Sequence, residues 1–364
     1  MAKVGVSLSF WSGKRVLITG HTGFVGSWLT MVLQSLGAIV HGYSNDIPTD
    51  PSLFEIANLG NEIEWTLADI RDLEALGAAV KSVEPQVILH LAAQPLVRKS
   101  YTAPLDTFTT NILGVVNLLE VIRKLDFRVA VVNMTSDKCY KRSSQSKPYN
   151  EDAPLGGADP YSSSKACSEL ISYAYRSSYF CSKNGSNSNS ALSTVRAGNI
   201  IGGGDWAKDR LMPDCVRAFS ESRSIELRYP NAIRPWQHIL DVIYGILVIA
   251  ELTHAKGSQA ADAWNIGPDS SEMWSVESVV SLSASLWGEG QSWHSQSPDG
   301  FKEENFLVLN NAKAKHELGW RPMLHTEVAI RKTIDWYKNY INNSKQVGSY
   351  TREEIRNYFE KLDE

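Results

Sequence analysis

Tyr161 and Lys165 stand four residues apart in DPYSSSKACSEL, so on a helix the phenol and the amine share one face. An ammonium beside a phenol favours the phenolate, which makes such a tyrosine a base near neutral pH. Spacing alone does not single the pair out, because Tyr179 and Lys183 repeat it at the edge of the polar stretch SKNGSNSNS and read as surface residues. What sets Tyr161 apart is its place after a short apolar run that ends in MTSDKCY. There Ser136, Asp137 and Lys138 bring a hydroxyl, a carboxylate and an amine to one strand end. The bland alternative for the last two is an ordinary surface ion pair.

A second constellation lies near the start. KRVLITG reads as a buried strand running into HTGFVGSWL, with Gly20, Gly23 and Gly26 in a GxxGxxG spacing that opens a helix. This is the setting of a dinucleotide turn: Gly20 for the tight turn, Gly23 for close approach of a pyrophosphate, Gly26 for helix-to-strand packing. His21, Thr22, Phe24 and Val25 complete the turn. The next strand ends in HGYSND, where Ser44 takes the slot of an acidic ribose anchor and Asp46 follows. No Arg or Lys stands there to meet a 2′-phosphate, so NAD is expected over NADP. Asp69 and Ile70, before Arg71, follow the third strand. Asp69 either meets the adenine amino group or is a solvated loop carboxylate, and both readings are open. LHLAAQP brings Leu91, the small Ala92 and Ala93, and Gln94 to the end of the fourth strand, where a cofactor can pass closely.

The elements that position these residues alternate strand and helix. Strands are expected at 15–19, 38–43, 63–67, 87–90, 130–134 and 193–196, and helices near 24–36, 72–83, 105–124 and 161–180. The fold class is α/β, a Rossmann-type doubly wound parallel sheet. After residue 200 the alternation breaks into Gly-, Pro- and Trp-rich segments such as IIGGGDWAKDRLMP and RYPNAIRPWQH. Residues 1–200 are therefore expected to form the dinucleotide domain with the reactive residues. Residues 201–364 mainly form a smaller substrate-binding lobe that returns some segments to the sheet. The segment 182–190 is expected to be an exposed loop.

The 364 residues are 43% hydrophobic and 21% charged, which excludes a disordered chain. Lys plus Arg number 36 against 40 Asp plus Glu, so the formal charge of −4 offers no bulk attraction to nucleic acid or anionic lipid. No apolar run approaching a membrane span is read, and a cytoplasmic chain is expected. Cys139, Cys167, Cys181 and Cys215 show neither disulfide nor metal-ligand spacing, so no metal is expected.

Taken together, HTGFVGS, HLAAQPLVR, TSDK, YSSSK and VRAGNIIGGGDW resemble, in order and over about residues 14–330, the extended short-chain dehydrogenase/reductase family that modifies nucleotide sugars. Within it, GHTGFVGSW, SLFEIA, AAQPLVRKSY, TSDKCY, RAGNIIGGGDWAKDRLMPD and IRPWQHIL are similar to the members that dehydrate CDP-glucose. The resemblance implies that Tyr161 takes the proton of the sugar 4-hydroxyl while hydride moves to NAD, that Ser136 bonds the same oxygen, and that Lys165 holds the ribose and the phenolate. For the elimination that follows, we assign Asp137 as the acid for the 6-hydroxyl and Lys138 as the base for C5, which requires a carboxyl held protonated. Arg98, Asn199, Arg210, Arg234 and His238 fall where the family holds the nucleotide sugar. Trp206 and Trp236 either stack on the base or pack the lobe, and Asn111 either holds a water or backbone near the reactive strand or caps its helix.

Two departures from the family stand out. His21 occupies a turn position usually held by Gly or Ala, where its bulk would loosen the cofactor. Ser136–Asp137–Lys138 stands where related dTDP-glucose enzymes have Thr-Asp-Glu, so the base there changes type. By the same resemblance the helices near 105–124 and 161–180 pair across a two-fold axis, giving at least a homodimer, with a tetramer open. A nucleotide-sugar 4-epimerase and a non-catalytic dinucleotide sensor remain as alternatives.

Overall fold

The computed structural model describes residues 7–143, 146–181, 190–296 and 305–363. In chain order, the first half contains α1 (Leu8–Trp11), β1 (Arg15–Thr19), α2 (Phe24–Ser35), β2 (Ile39–Ser44), α3 (Leu53–Ile56), β3 (Glu64–Leu67), α4 (Leu73–Val83) and β4 (Val87–His90). It continues with α5 (Val97–Thr102), α6 (Pro104–Phe108), α7 (Gly114–Arg123), β5 (Ala130–Met134), α8 (Pro160–Ser178) and β6 (Ala191–Ala197). The second half contains β7 (Ile200–Ile201), α9 (Leu211–Ser220), β8 (Ile225–Leu227), β9 (Ile233–Arg234), β10 (Gln237–His238), α10 (Ile239–Lys256) and β11 (Ala263–Ile266). Then follow β12 (Trp274–Ser275), α11 (Val276–Trp287), β13 (Trp293–Ser295), α12 (Thr326–Asn342) and α13 (Val347–Asp363).

Seven parallel strands form one sheet in the order β11-β6-β5-β4-β1-β2-β3. The order reverses between β1 and β4, the switch point where a doubly wound sheet opens a crevice at its carboxyl edge. Strand residues alternate between two apolar layers, as the pleat demands. Val16 and Ile18 of β1 face α2 and α10, whereas Leu17 between them faces α4 and α7. The six expected strands begin and end within two residues of those observed.

Two expectations change. The second half is less irregular than its turn residues imply, since α10 is buried almost all round from Ile239 to Ala250 and β11 closes the sheet beside β6. Apolar on every side, α10 carries no amphipathic period to read. An apolar helical run does reach span length: Pro104–Arg123 is 20 residues with mean hydropathy 1.3, and half of its apolar window is buried inside the protein. Residues 182–189 of the expected loop, with Lys183, lie outside the described residues.

Candidate active site

A cleft of about 440 Å³ opens at the carboxyl edge of the sheet, between the ends of β4, β5 and β6 and the segments of the second half. Ser136, Asp137, Lys138, Tyr161 and Lys165 all line it, as do Arg98, Asn199, Arg210 and Arg234. The structure thus brings together residues separated by as many as 136 positions along the chain (98 to 234).

Local sequence sets the geometry of each. Asp159 caps α8, accepting from Ser162 N at 2.9 Å and Ser162 Oγ at 2.6 Å, and Pro160 starts the first turn. Tyr161 therefore enters the cleft at the helix start, its backbone N–H bonded to Ser100 Oγ at 3.2 Å. Burial pushes its phenol up to about 12, opposed by the Ser136 hydrogen bond. One turn on, Lys165 Nζ donates to Met134 O at 3.2 Å, and burial draws its amine down to about 8. Ser136 caps the short 3₁₀ turn Asp137–Cys139: its Oγ accepts from Lys138 N at 3.2 Å and donates to Asp137 Oδ1 at 3.0 Å. Asp137 is 3% exposed and its Oδ2 has no hydrogen-bond partner. Burial raises its carboxyl, and the charges of Lys138 and Arg234 only partly oppose this. The arrangement can move a proton at a hydroxyl through Tyr161 and Ser136, and offer a carboxyl shifted toward its protonated form beside the amine of the next residue.

The glycine turn fits a dinucleotide. A Cβ at Gly20, at φ +78, would stand 2.7 Å from Ala92 N, and one at Gly26 would stand 2.2 Å from Gly20 O, so the strand, turn and helix meet as backbone on backbone. At Gly23 a Cβ would meet only Gly20 O, at 3.5 Å. Glycine there keeps the start of α2 open, where no side chain caps the N–H groups. Val25, Leu91 and Ala93 line the cleft beside this turn.

Other residues expected at the cofactor also make contacts within the protein. His21 turns back from the cradle: its ring fills the space a Cβ on Gly42 would take, between Phe54 and Trp65. Burial lowers it to about 4, so it is neutral, and its Nδ1 pairs with Ser44 Oγ at 2.8 Å. The bulk expected to crowd a cofactor is thus spent on packing, and the Ser44 hydroxyl faces His21. Thr22 Oγ1 donates to Asp46 O at 2.7 Å. Asp69 is clamped by Arg71 through Nη2 at 2.6 Å and Nε at 3.0 Å, which holds its carboxyl below the ordinary range. Ile70 packs its side chain into the core. Gln94 points inward, donating to Thr107 Oγ1 at 2.9 Å, while Asn111 grips its backbone N–H and C=O at 2.8 and 3.1 Å. Of the readings open for Asn111, holding backbone near the reactive strands is the one observed.

Among the nucleotide-sugar residues, Arg210 pairs with Asp205 at 3.0 Å and Arg98 with Asp209 at 3.5 Å, both at the cleft wall. His238 is a correction. It is 1% exposed, lies away from the cleft, and caps α10 by accepting from Leu240 N at 3.3 Å, with Glu354 3.5 Å from Nε2. Trp206 packs against Trp336, Tyr337 and Tyr340 and belongs to the lobe's interior. Trp236 lines the cleft with its Nε1 bonded to Trp274 O at 3.2 Å. Arg142, Arg228 and Tyr229 also line the cleft and were not singled out from sequence. Arg228 and Tyr229 fall in the turn-rich RYPNAIRPWQH, where several cations compete for one role, whereas Arg142 lies in a polar loop with no pattern.

A dinucleotide cradle at the switch point and a Tyr/Lys face across the cleft from it define an enzyme of the extended short-chain dehydrogenase/reductase class. More narrowly, the family model described as GDP-mannose 4,6 dehydratase matches residues 17–333, and the chain belongs to that family. It is 43% identical to the CDP-glucose 4,6-dehydratase of Salmonella typhimurium over 96% of this chain and 97% of that protein. Among solved structures, it resembles dTDP-glucose 4,6-dehydratase from Bacillus anthracis in complex with NAD, with a TM-score of 0.74 and 23% identity over 90% of this chain and 97% of that one. It also resembles a Thermus thermophilus UDP-glucose 4-epimerase complex with NAD, with a TM-score of 0.76 and 23% identity over 89% and 99%.

Proposed function

We propose that the chain is an NAD-dependent dehydratase that converts CDP-glucose to its 4-keto-6-deoxy sugar and water. The observation that carries this reading is Asp137, a buried carboxyl held toward its protonated form, next to Lys138 and facing the same cleft as Tyr161. An epimerase needs the tyrosine and the transient ketone but no acid for a leaving hydroxyl. The likeness to the Salmonella CDP-glucose enzyme supports the choice of nucleotide.

When bound, NAD would supply a hydride acceptor at C4 and a hydride donor at C6. Residues of the turn, Gly20 to Gly26, would hold its pyrophosphate, with Leu91 to Ala93 along its path and Lys165 at the ribose. Tyr161 takes the proton of the 4-hydroxyl, and Ser136 fixes the same oxygen. With C4 a ketone, the C5 proton is acidic: Lys138 removes it, and the C5 electron pair forms the C5–C6 double bond as the 6-hydroxyl leaves. Asp137 protonates that hydroxyl, so water departs; as C6 is reduced, Lys138 returns the proton to C5, and the proton gained by Tyr161 makes good the one lost by Asp137. Arg98, Arg210, Arg234 and Asn199 hold the diphosphate and its nucleoside, with arginine suited to paired contacts on phosphate oxygens.

Two copies pair through the helices at 104–123 and 160–178, where Leu105, Leu113, Leu170 and Tyr173 are exposed at 76, 45, 54 and 63%. Such a dimer leaves a tetramer open. The four free thiols agree with a cytoplasmic enzyme. In the domain assignment, residues 1–200 carry the cofactor and the reactive groups, and 201–364 mainly carry the nucleotide sugar.

The test is incubation of the purified protein with NAD and either CDP-glucose or dTDP-glucose, followed by mass spectrometry and the alkaline absorbance of a 4-keto sugar. Loss of one water from the CDP sugar alone is expected. Conversion without change of mass identifies an epimerase, and no conversion of either sugar overturns the reading.

A further inference from the structure

Behind the cleft, one buried ion pair joins the two pieces of chain that carry the reactive groups. Tyr161, Lys165 and Glu169 form an i, i+4, i+8 row along α8. Glu169 pairs with Arg196 of β6 at 2.8 Å, the two side chains being 1% and 5% exposed. The same carboxylate accepts from Thr194 Oγ1 at 2.9 Å and from Thr135 Oγ1. Thr135 is the residue immediately before Ser136. On its other side Arg196 Nη1 donates to Tyr140 Oη at 2.9 Å, with the guanidinium 5.0 Å from that ring. Tyr140 is the residue immediately after Cys139, and its hydroxyl donates to Asn265 Oδ1 at 2.6 Å. Both ends of the Ser136–Cys139 turn are therefore tied to one pair, whose acid belongs to the helix of Tyr161 and Lys165.

A buried ion pair is weak evidence for stability, because desolvation offsets its attraction and apolar replacements often serve as well. What this pair supplies is a fixed distance between two catalytic segments. Neither side chain lines the cleft. We propose that Glu169 and Arg196 are positioning residues for the reaction, holding the Ser136–Cys139 turn in register with the Tyr161/Lys165 face of α8. The Glu169 charge has a second consequence at Lys165. The groups that face this amine are Glu169 on its own helix, Cys139 on the turn, His90 at the end of β4, and the Met134 carbonyl. Glu169 opposes the downward pull of burial on Lys165.

The inference rests on the dehydratase reading, so turnover of CDP-glucose by the wild-type protein is measured first. Absence of that turnover fells both, whereas variants that match an active wild type overturn the ion pair's role alone. Glu169→Gln keeps size while removing the charge and one of the two accepting oxygens. Its kcat is expected to fall about 10- to 100-fold with KM for the sugar nucleotide within about 2-fold, since positioning acts on the reacting geometry. The alkaline limb of its single-turnover rate of C4 oxidation, the step Lys165 serves, is expected to move to lower pH by about one unit, because Lys165 loses the neighbour that favours its ammonium. Should that variant fail to fold, Thr135→Val severs one arm with the charges intact and is expected to lower kcat, with Thr135→Ser restoring it. A folded Glu169→Gln enzyme with wild-type kcat and an unmoved alkaline limb overturns the proposal. So does wild-type kcat in Thr135→Val.

Discussion

Ser136 Oγ donates to Asp137 Oδ1 at 3.0 Å, while the second oxygen of that carboxylate, Oδ2, is buried and unpaired. Burial penalises an ionised carboxylate there, and the Lys138 and Arg234 charges with the Ser136 hydroxyl and the Lys138 N–H only partly offset it, so the carboxyl is raised. The raised carboxyl gives the elimination its sign in pH: Asp137 serves as acid while protonated, and the step slows as pH rises through its shifted value.

Asp137→Asn keeps the shape but cannot give a proton to the leaving hydroxyl. Dehydration is expected to fall about 10²- to 10⁴-fold, the range of a positioned general acid. Oxidation at C4 is expected to persist, so reduced cofactor accumulates on addition of CDP-glucose and is followed by its near-ultraviolet absorbance. A variant that releases 4-keto-6-deoxy sugar at the wild-type rate removes Asp137 from the mechanism.

Lys138 is assigned the C5 proton, and isotope exchange isolates that step. In heavy water the wild-type enzyme is expected to place solvent deuterium at C5 of the product. Lys138→Ala is expected to oxidise C4 yet neither exchange C5 nor lose water, as read by mass spectrometry of the recovered sugar. Dehydration by this variant at the normal rate would assign the base elsewhere in the cleft.

His238 belongs to the fold and not to substrate binding. Its Nδ1 caps α10 and its ring lies against Trp28, so His238→Gln is expected to cost about 1 kcal/mol of stability. KM for CDP-glucose is expected to stay within about 2-fold, since a buried cap makes no contact whose loss the substrate would sense. Thermal denaturation and steady-state kinetics of one preparation test both, and a tenfold rise in KM without a fall in melting temperature returns His238 to the cleft.

These residues also mark where sequence is legible. Gly20 and Gly26 can be read because backbone contact leaves no alternative residue, and Tyr161 and Lys165 because helix geometry converts a spacing of four into a shared face. The strands are legible because each is short, apolar and closed by a turn. His238 is not, because its partner Glu354 is chosen by tertiary packing. The Glu169–Arg196 pair spans 27 residues and joins a helix to a strand, so nothing local announces it. Only the i+4 step from Lys165 to Glu169 could have pointed there.

Asp241 offers a pH test of how the C-terminal helix is held. It is fully buried and accepts from Tyr358 Oη at 2.6 Å and from Met323 N and Leu324 N at 3.0 and 3.2 Å, tying α13 and the 323–324 turn to α10. Burial outweighs these bonds and lifts its carboxyl from 3.8 to about 6. A carboxyl raised on folding contributes most below its unfolded value, and that contribution is lost as pH rises through the folded one. Between about pH 4 and pH 7 the wild type is therefore expected to lose about 2 kcal/mol relative to Asp241→Asn, which has no proton to release. Urea unfolding of both proteins at the two ends of that window measures the difference. A gap that stays constant with pH would mean that Asp241 is already ionised in the fold, held by its three donors in spite of burial.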